Sequence, residues 1–225
     1  MAIVILFALI CVIVLPQVWV RFTIDRHGTD RPDLQGTGAE LARHLLDRFD
    51  LADVKVETTD RGDHYDPDAK AVRLLATHHD GRSLSAVAIA AHEVSHALQD
   101  ARGERLLALR QRLAKFTAIT DRIAGVFFIA APVLAALART PVAFFAVLGI
   151  GIALLAVRVL VNLVTLPVET DASFSKALPI LEDGRYVDAA HMPAIRSVLR
   201  AAAFTYLAGA LISLINLARW IRLLR

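Results

Sequence analysis

The sequence predicts a mainly α fold, a multi-span helical membrane protein with a polar domain that carries a small β-hairpin. Of its 225 residues, 56% are hydrophobic, which exceeds the apolar share of an ordinary soluble domain. The excess lies in four blocks, and about 20 apolar residues suffice to cross a bilayer. The first and third blocks are long enough; the second and fourth are shorter, and buried helices of a soluble core are the competing interpretation. The blocks are Ala2–Val20, Ile123–Ala138, Val142–Leu166 and Ala201–Leu217.

The order of these blocks predicts how the chain is organised. The first block lacks the basic start and small-residue cleavage site of a secretory signal, so we expect a retained anchor over residues 1–20. Arg139-Thr140-Pro141 forms a tight turn and makes residues 123–166 a transmembrane helical hairpin. Polar chain fills 21–122 and 167–200, and residues 201–225 form a last span with a short basic tail. Four spans place both polar parts on one side of the membrane.

Charge predicts the orientation and limits the partners. Basic residues are more numerous on the side of the two polar parts, which the positive-inside rule places on the cytoplasmic side of the membrane, although three arginines of the tail oppose this assignment. These juxtamembrane arginines account for the net charge of +3. Because no aromatic residues are interleaved with a basic stripe, we expect no nucleic-acid partner. Cys11 is alone, which excludes an intrachain disulfide.

Local patterns predict the elements of the larger polar part. Leucines at helical spacing indicate an amphipathic helix over Gly38–Phe49. Val54–Thr58 and Ala71–Leu75 are typical of strands, and the turn-rich stretch between them predicts a hairpin. A further helix begins after Asp80 or Ser83, either of which is a good N-cap. We expect helix to continue beyond Gln99, past Gly103, toward the second apolar block.

The stretch Ala90–Gln99 contains the pattern H-E-x-x-H within this last helix. His92 and His96 are four residues apart and project from one face, which is a partial site for Zn²⁺. Glu93 lies about 100° around the helix from His92, where a carboxylate takes a proton from a water at the metal. A five-residue pattern with three fixed positions also occurs by chance. The plain alternative is a solvated helix that carries two histidines and a carboxylate. The apolar flanks favour a buried helix instead, where unpaired polar groups cost about 1–3 kcal/mol each.

A catalytic zinc usually has three protein ligands, so one more is needed. Glu169, which follows the third apolar block, is the candidate, and Asp171 is the runner-up. Asp171 is also suited to accept the N–H of a ligating histidine. Pro167 predicts that a second helix opens here, and both acids are equally explained by the dipole of its N-terminus. A zinc ion held by Glu169, three residues after Leu166, would lie at or near the membrane surface.

Three stretches together resemble a known family. They are Asp63–Pro67 with Ala71–Leu74, Gly81–Gln99 and Pro167–Ser173. The chain resembles the YugP-like neutral zinc metallopeptidases, a bacterial membrane family distantly similar to the HtpX proteases, over most of its length. The family usually has glycine at the position of Ser95 and an aromatic residue at that of Thr170. Neither difference removes a ligand.

The resemblance implies a zincin-like, gluzincin-type metallopeptidase domain in which His92, His96 and Glu169 hold zinc and Glu93 is the base. The expected function is an integral membrane endopeptidase, with peptides or membrane proteins as substrates, the lipid bilayer as its setting and a membrane-protein complex as a further partner. The competing class is a non-catalytic membrane scaffold or regulatory subunit with a structural metal. Hydrolysis of a non-peptide bond by the same chemistry is a third hypothesis.

Other polar residues have plain explanations beside functional ones. His78 and His79 are adjacent and do not share a face, so we expect loop histidines rather than ligands, although a structural site would recruit them or His191 as a fourth ligand. His64 and Tyr65, or His191, are candidates to stabilise an oxyanion. Within the third block, Arg158 and Asn162 are four residues apart, and one hypothesis is that they face the interior of the helical bundle as a functional pair. The alternative is that the side chain of Arg158 snorkels to the membrane surface.

Overall fold

The structure is a computed structural model that describes residues 2–137 and 140–205. Its α-helices are α1 (Ala2–Arg26), α2 (Gly38–Arg48), α3 (Ala76–His79), α4 (Leu84–Ala101), α5 (Arg105–Leu137), α6 (Pro141–Thr170) and α7 (Leu178–Asp183). A π-helix (Asp171–Ala177) joins α6 to α7, and a short 3₁₀-helix (Ala189–His191) precedes further helix over 192–205. The strands are β1 (Lys55–Thr59), β2 (His64–Asp66) and β3 (Ala71–Leu75). The fold is therefore mainly α with one small sheet, as predicted.

The chain divides into two compact units. One combines Gln17–Ala108 with Pro167–Thr205 and contains the sheet, α2, α3, α4, the π-helix and α7. The other contains Met1–Pro16 and Leu109–Leu166, the apolar lengths of α1, α5 and α6. Both polar stretches of the sequence thus contribute to a single unit.

The sheet has the strand order β1-β3-β2. The hairpin predicted between the first and third strands is wrong, because β1 pairs with β3 in parallel, with Lys55 opposite Ala71. The intervening chain, expected to be a turn, contains β2, which pairs antiparallel with β3 and forms the hairpin of this fold. Asp66 closes that hairpin by accepting the backbone N–H groups of Asp68 and Ala69, which together with Arg73 lowers its pKa.

The centre of the polar unit is α4, in which every residue from Leu84 to Gln99 is buried. It contacts α2, the sheet, α7 and the π-helix, with Leu45, Leu46 and Ile195 among the fully buried side chains of the surrounding core. Ser83 is the N-cap, as one of the two predicted alternatives, and its hydroxyl accepts the N–H of Ala86 at 3.0 Å. A fully enclosed helix of this kind can hold polar side chains in fixed positions.

Two predicted helix boundaries are wrong. Helix α4 does not continue past Gly103, because this glycine adopts φ +63° and redirects the chain into α5. A left-handed glycine at this position is a common helix C-terminus. Pro167 does not open a new helix but lies inside α6, which runs on to Thr170 before the π-helix begins. The predicted helix start at Glu169 is thus the last turn of a long helix.

The predicted membrane spans are helical where the structure describes them. Among the described residues, one continuous helix, Pro141–Asp183, is long and apolar enough to cross a membrane, and only 25% of its most apolar stretch is buried. The first and second blocks form most of α1 and part of α5, whereas the fourth block lies largely outside the described residues. The four-span topology stays a prediction. The side chain of Arg158 is likewise outside the description.

Candidate metal centre

Two stretches far apart in sequence bring three donor groups together. His92 and His96 come from the buried face of α4, and Glu169 comes from the last turn of α6. One carboxylate oxygen of Glu169, Oε2, lies 3.2 Å from His92 Nε2 and 3.3 Å from His96 Nε2. The donor atoms of all three residues lie within 4.8 Å of one another. All three side chains are buried, with 1–4% of their surface exposed.

These distances fit a tetrahedral metal. Zinc takes imidazole nitrogen and carboxylate oxygen at roughly 2.0–2.2 Å, so two ligand atoms of a tetrahedral site lie about 3.4 Å apart. The separations of 3.2 and 3.3 Å from Glu169 Oε2 agree with this value. The two imidazole rings stand nearly perpendicular, with an interplanar angle of 80° and centroids 4.7 Å apart. The residues present therefore fit a zinc ion in both donor chemistry and spacing.

The hydrogen bonds of Gln99 assign the tautomer of His96. The amide nitrogen of Gln99 donates to Val168 O at 3.1 Å and to Asp171 Oδ2 at 2.7 Å. The amide oxygen therefore faces His96 and accepts from its Nδ1 at 2.8 Å. A neutral His96 with its proton on Nδ1 turns the lone pair of Nε2 toward Glu169. Two lone pairs facing each other repel, and a cation between them removes that repulsion.

His92 is oriented from its other side by the π-helix. Its Nδ1 lies 3.0 Å from the hydroxyl of Ser173, which is fully buried. Such a contact fixes the ring plane and directs Nε2 toward Glu169, the arrangement expected around a metal-binding histidine. The wider turn of the π-helix begins two residues after the glutamate, and π-helical turns are frequent at functional sites. The end of α6 thus supplies a donor, and the π-helix after it supplies the group that positions another donor.

Asp171 is neither a member of the three-donor group nor the direct partner of a histidine. Its carboxylate accepts from Gln99 and forms an ion pair with Lys176, whose ammonium group also lies 3.0 Å from Glu104. Burial acts to raise the pKa of Asp171, but the hydrogen bonds from Lys176 and Gln99 outweigh it and lower the pKa below its ordinary value. The predicted contact between Asp171 and a histidine N–H is thus relayed through Gln99.

Glu93 is buried with 6% of its surface exposed and stands beside His92 on α4. It is not among the three grouped donors. The residue expected to act as a base is thus enclosed in the same helix as the two histidines, and a different carboxylate approaches their nitrogens. The assignment of Glu93 as the base and Glu169 as a ligand stays a prediction.

The four histidines that the sequence offers as alternative ligands or oxyanion groups have partners elsewhere. His78, which lies in the one-turn helix α3 rather than in a loop, is buried beside Asp63 at 2.8 Å, and His79 contacts Asp80. His64 contacts the carbonyl of Gly62, and His191 contacts Arg31. Tyr65 donates its hydroxyl to Asp100 at 2.7 Å, and burial together with this bond raises its pKa. An oxyanion role for His64, Tyr65 or His191 stays a prediction.

Sequence reasoning missed Gln99, Ser173 and Lys176 as parts of the site. Gln99 had a recognisable signal, because it follows His96 by three residues and so shares its face of the helix. Ser173 and Lys176 had none, since their positions depend on the π-helix. The π-helical turn changes which residues of this segment face α4, and no sequence pattern predicts a π-helix here.

Comparisons with known proteins agree with this geometry. A family model described as "Putative neutral zinc metallopeptidase" matches residues 2–225. The chain is 39% identical over 188 residues to the protein named "Putative membrane protease YugP" of Bacillus subtilis (strain 168), a match that covers 82% of this chain and 79% of that protein. No solved structure matches the chain.

Proposed function

The chain belongs to the neutral zinc metallopeptidase family, and from that premise we propose that it is an integral membrane zinc-dependent endopeptidase. The proposed ligands are His92, His96 and Glu169, with Glu93 as the catalytic base. The observation that carries the proposal is the convergence of both Nε2 atoms on one oxygen of Glu169, at 3.2 and 3.3 Å. This is a gluzincin-type ligand set, two histidines of one helix and a glutamate from a later one.

The chain's own residues divide the chemistry between them. When bound at these ligands, the zinc ion supplies the Lewis acidity that activates water and polarises the scissile carbonyl. Glu93 takes a proton from the attacking water onto its carboxylate and delivers it to the nitrogen of the departing amine. The Nδ1–H groups of His92 and His96 donate to Ser173 Oγ and Gln99 Oε1 respectively, which leaves both Nε2 atoms directed at the ligand position. The buried surroundings of Glu93 exclude bulk water from this transfer.

The donor count favours an enzyme over a scaffold. Structural zinc sites usually close with four protein ligands, whereas catalytic sites keep one position open. Within the described residues, the group around Glu169 has three members. His78, His79 and His191, the residues expected to close a structural site, contact Asp63, Asp80 and Arg31 instead. A three-ligand site with a buried neighbouring carboxylate supports hydrolysis as the function.

The position of Glu169 suggests the substrate class and the location. It follows the apolar length of α6 by three residues, which is about 4.5 Å of helix rise. The exposed apolar side chains of α5 and α6 suit a lipid environment, as Val126, Ile129 and Val142 illustrate. We therefore assign membrane or membrane-proximal proteins as substrates. By the charge distribution, the site faces the cytoplasm from the inner membrane.

Replacing Glu93 by glutamine tests the proposed function. The amide keeps the shape of the side chain but cannot take a proton, so cleavage of a single-span model substrate in proteoliposomes should fall by at least about 10²-fold. Zinc content, measured by atomic absorption on the purified protein, should stay at one ion per chain. Ser95→Ala, a buried change on the same helix, is the matched control and should retain cleavage. Proteolysis retained by the Glu93→Gln variant contradicts the proposal.

A further inference from the structure

Gln99 contacts both halves of the metal centre at once. It is buried, with 1% of its surface exposed. Its amide oxygen accepts from His96 of α4 at 2.8 Å, and its amide nitrogen donates to Val168 O at 3.1 Å and Asp171 Oδ2 at 2.7 Å. Val168 and Asp171 lie on either side of Glu169 in the sequence. One side chain thus bridges the helix that holds the histidines and the segment that holds the carboxylate.

We infer that Gln99 is a positioning residue that sets the tautomer of His96 and fixes Glu169 opposite it. This inference rests on the proposed function only in taking His96 and Glu169 as the metal ligands. Holding the Nδ1 proton on His96 leaves Nε2 free to bind a metal. Holding the carbonyl of Val168, the residue before Glu169, places the backbone that carries the third donor.

Only an amide satisfies all three contacts. The side chain must accept at one end and donate twice at the other, and glutamine has both functions on one planar group. The carboxylate of a glutamate would accept from His96, but its other oxygen would be repelled by the carbonyl oxygen of Val168 and the carboxylate of Asp171. Methionine fills a similar volume but forms none of the three bonds. Because Gln99, His96 and Val168 are buried, an unmet donor or acceptor among these three is not replaced by water.

A charged network holds the amide in the required direction. The carboxylate of Asp171 accepts from the amide nitrogen, and Lys176 pairs with that carboxylate and with Glu104. A rotated amide would turn its oxygen toward Asp171 and its N–H₂ group toward the N–H of His96. Both contacts would be repulsive. Asp171 and Lys176 therefore act on the metal centre through Gln99 rather than by binding the ion.

The first test measures zinc affinity of Gln99→Met in the full-length protein by competition with a chromophoric chelator. Loss of such supporting contacts typically lowers metal affinity 10- to 100-fold, and we expect a decrease in this range. The absorption spectrum of the Co²⁺-loaded variant should also change, because the ligand geometry is disturbed. Ser95→Ala is the matched control, since it removes a buried hydrogen bond to Ala91 O from the same helix. Zinc affinity in that control should stay within twofold of the native protein.

The second test exchanges the amide and the carboxylate. Gln99→Glu alone should weaken zinc binding at least tenfold, because two carboxylates then face each other. In Gln99→Glu/Asp171→Asn the new asparagine can donate to the new glutamate, which still accepts from His96. The double variant should recover part of the lost affinity, which a general defect in folding would not predict. This comparison remains informative if Gln99→Met fails to fold.

The outcomes separate this inference from the proposed function. Native zinc affinity in both Gln99 single variants, or no recovery in the double variant, overturns the inference and leaves the peptidase proposal intact. If the variants bind zinc more weakly but the native protein cleaves no peptide bond, the inference about Gln99 is upheld and the proposed function is contradicted. A native protein that binds no stoichiometric zinc removes both.

Discussion

At the scale of single residues, the orientation of each histidine ring depends on the hydrogen-bond partner of its Nδ1 atom. Nδ1 of His96 contacts Gln99 and Nδ1 of His92 contacts Ser173, so both Nε2 atoms are directed at Glu169. Orientation is thus fixed by contacts behind the rings rather than by the donors themselves. In a buried site this matters, because a rotated imidazole has no solvent to satisfy its nitrogens.

Comparing Glu169 with Asp171 separates a ligand from a supporting acid. Glu169→Ala removes a proposed ligand and should reduce zinc affinity by at least about a hundredfold, beyond the 10- to 100-fold range of supporting groups. Asp171→Ala removes the acceptor for Gln99 and should reduce it by about tenfold. Chelator competition on both full-length variants measures the order. If Asp171→Ala is the more damaging change, the third ligand is not Glu169.

Some of these site residues could be predicted from the sequence, and others could not. The helical period of 3.6 residues places His92 and His96 on one face wherever α4 forms, so this pair was predictable from spacing. Glu169 could be named as a candidate but not distinguished from Asp171 on charge alone. What distinguishes them is the direction in which each side chain leaves the chain at the junction of α6 and the π-helix, and spacing carries no information about that.

At the scale of elements, the local rules succeeded where the segment was regular and failed where tertiary contacts intervened. Ser83 was a predictable N-cap because its hydroxyl bonds the backbone three residues ahead. Pro167 was expected to begin a helix, but α6 continues through it, and the chain widens into the π-helix four residues later. The pairing of β1 with β3 was missed because strand direction depends on β2, three residues hidden within a turn-rich stretch.

The N-cap of α4 makes a testable contribution to stability. Ser83→Ala removes the acceptor for the N–H of Ala86 at a buried helix start, and the free energy of unfolding should fall by about 1 kcal/mol, within a range of roughly 0.5–2 kcal/mol. Chemical denaturation of the protein in detergent, followed by circular dichroism, measures the change. Ser83→Thr retains a hydroxyl and is the control that should lose less. Equal losses in the two variants would contradict a capping role.

At the scale of the whole molecule, the polar unit is assembled from two stretches that the apolar helices separate in sequence. Residues 17–108 contain α4, and residues 167–205 contain the π-helix, yet the donor group takes members from both. A metal that binds both stretches is expected to stabilise their association, since ligands that bind only the folded state shift the equilibrium toward it. The apolar helices between the two polar stretches were predictable from composition. How the two polar stretches pack against each other was not.

Substrate position relative to the bilayer gives the prediction for the whole molecule. Because Glu169 follows the apolar length of α6 by about 4.5 Å of helix rise, the proposed site should act on peptide bonds close to the membrane surface. A single-span substrate with one cleavable sequence placed next to its span, and in a second version about 30 residues away along a flexible linker, should be cleaved faster in the first version when both are reconstituted with the protein.

The matched control carries the same cleavable sequence on a soluble carrier and should be cleaved more slowly than the membrane-adjacent version at equal concentration. The Glu93→Gln variant provides the background for all three substrates. Tethering confines the first substrate to the layer in which the site is proposed to lie, so its advantage should persist when the flanking residues are varied. Equal rates for the near, distant and soluble versions would contradict a site at the bilayer surface and leave zinc-dependent peptide hydrolysis without a membrane preference.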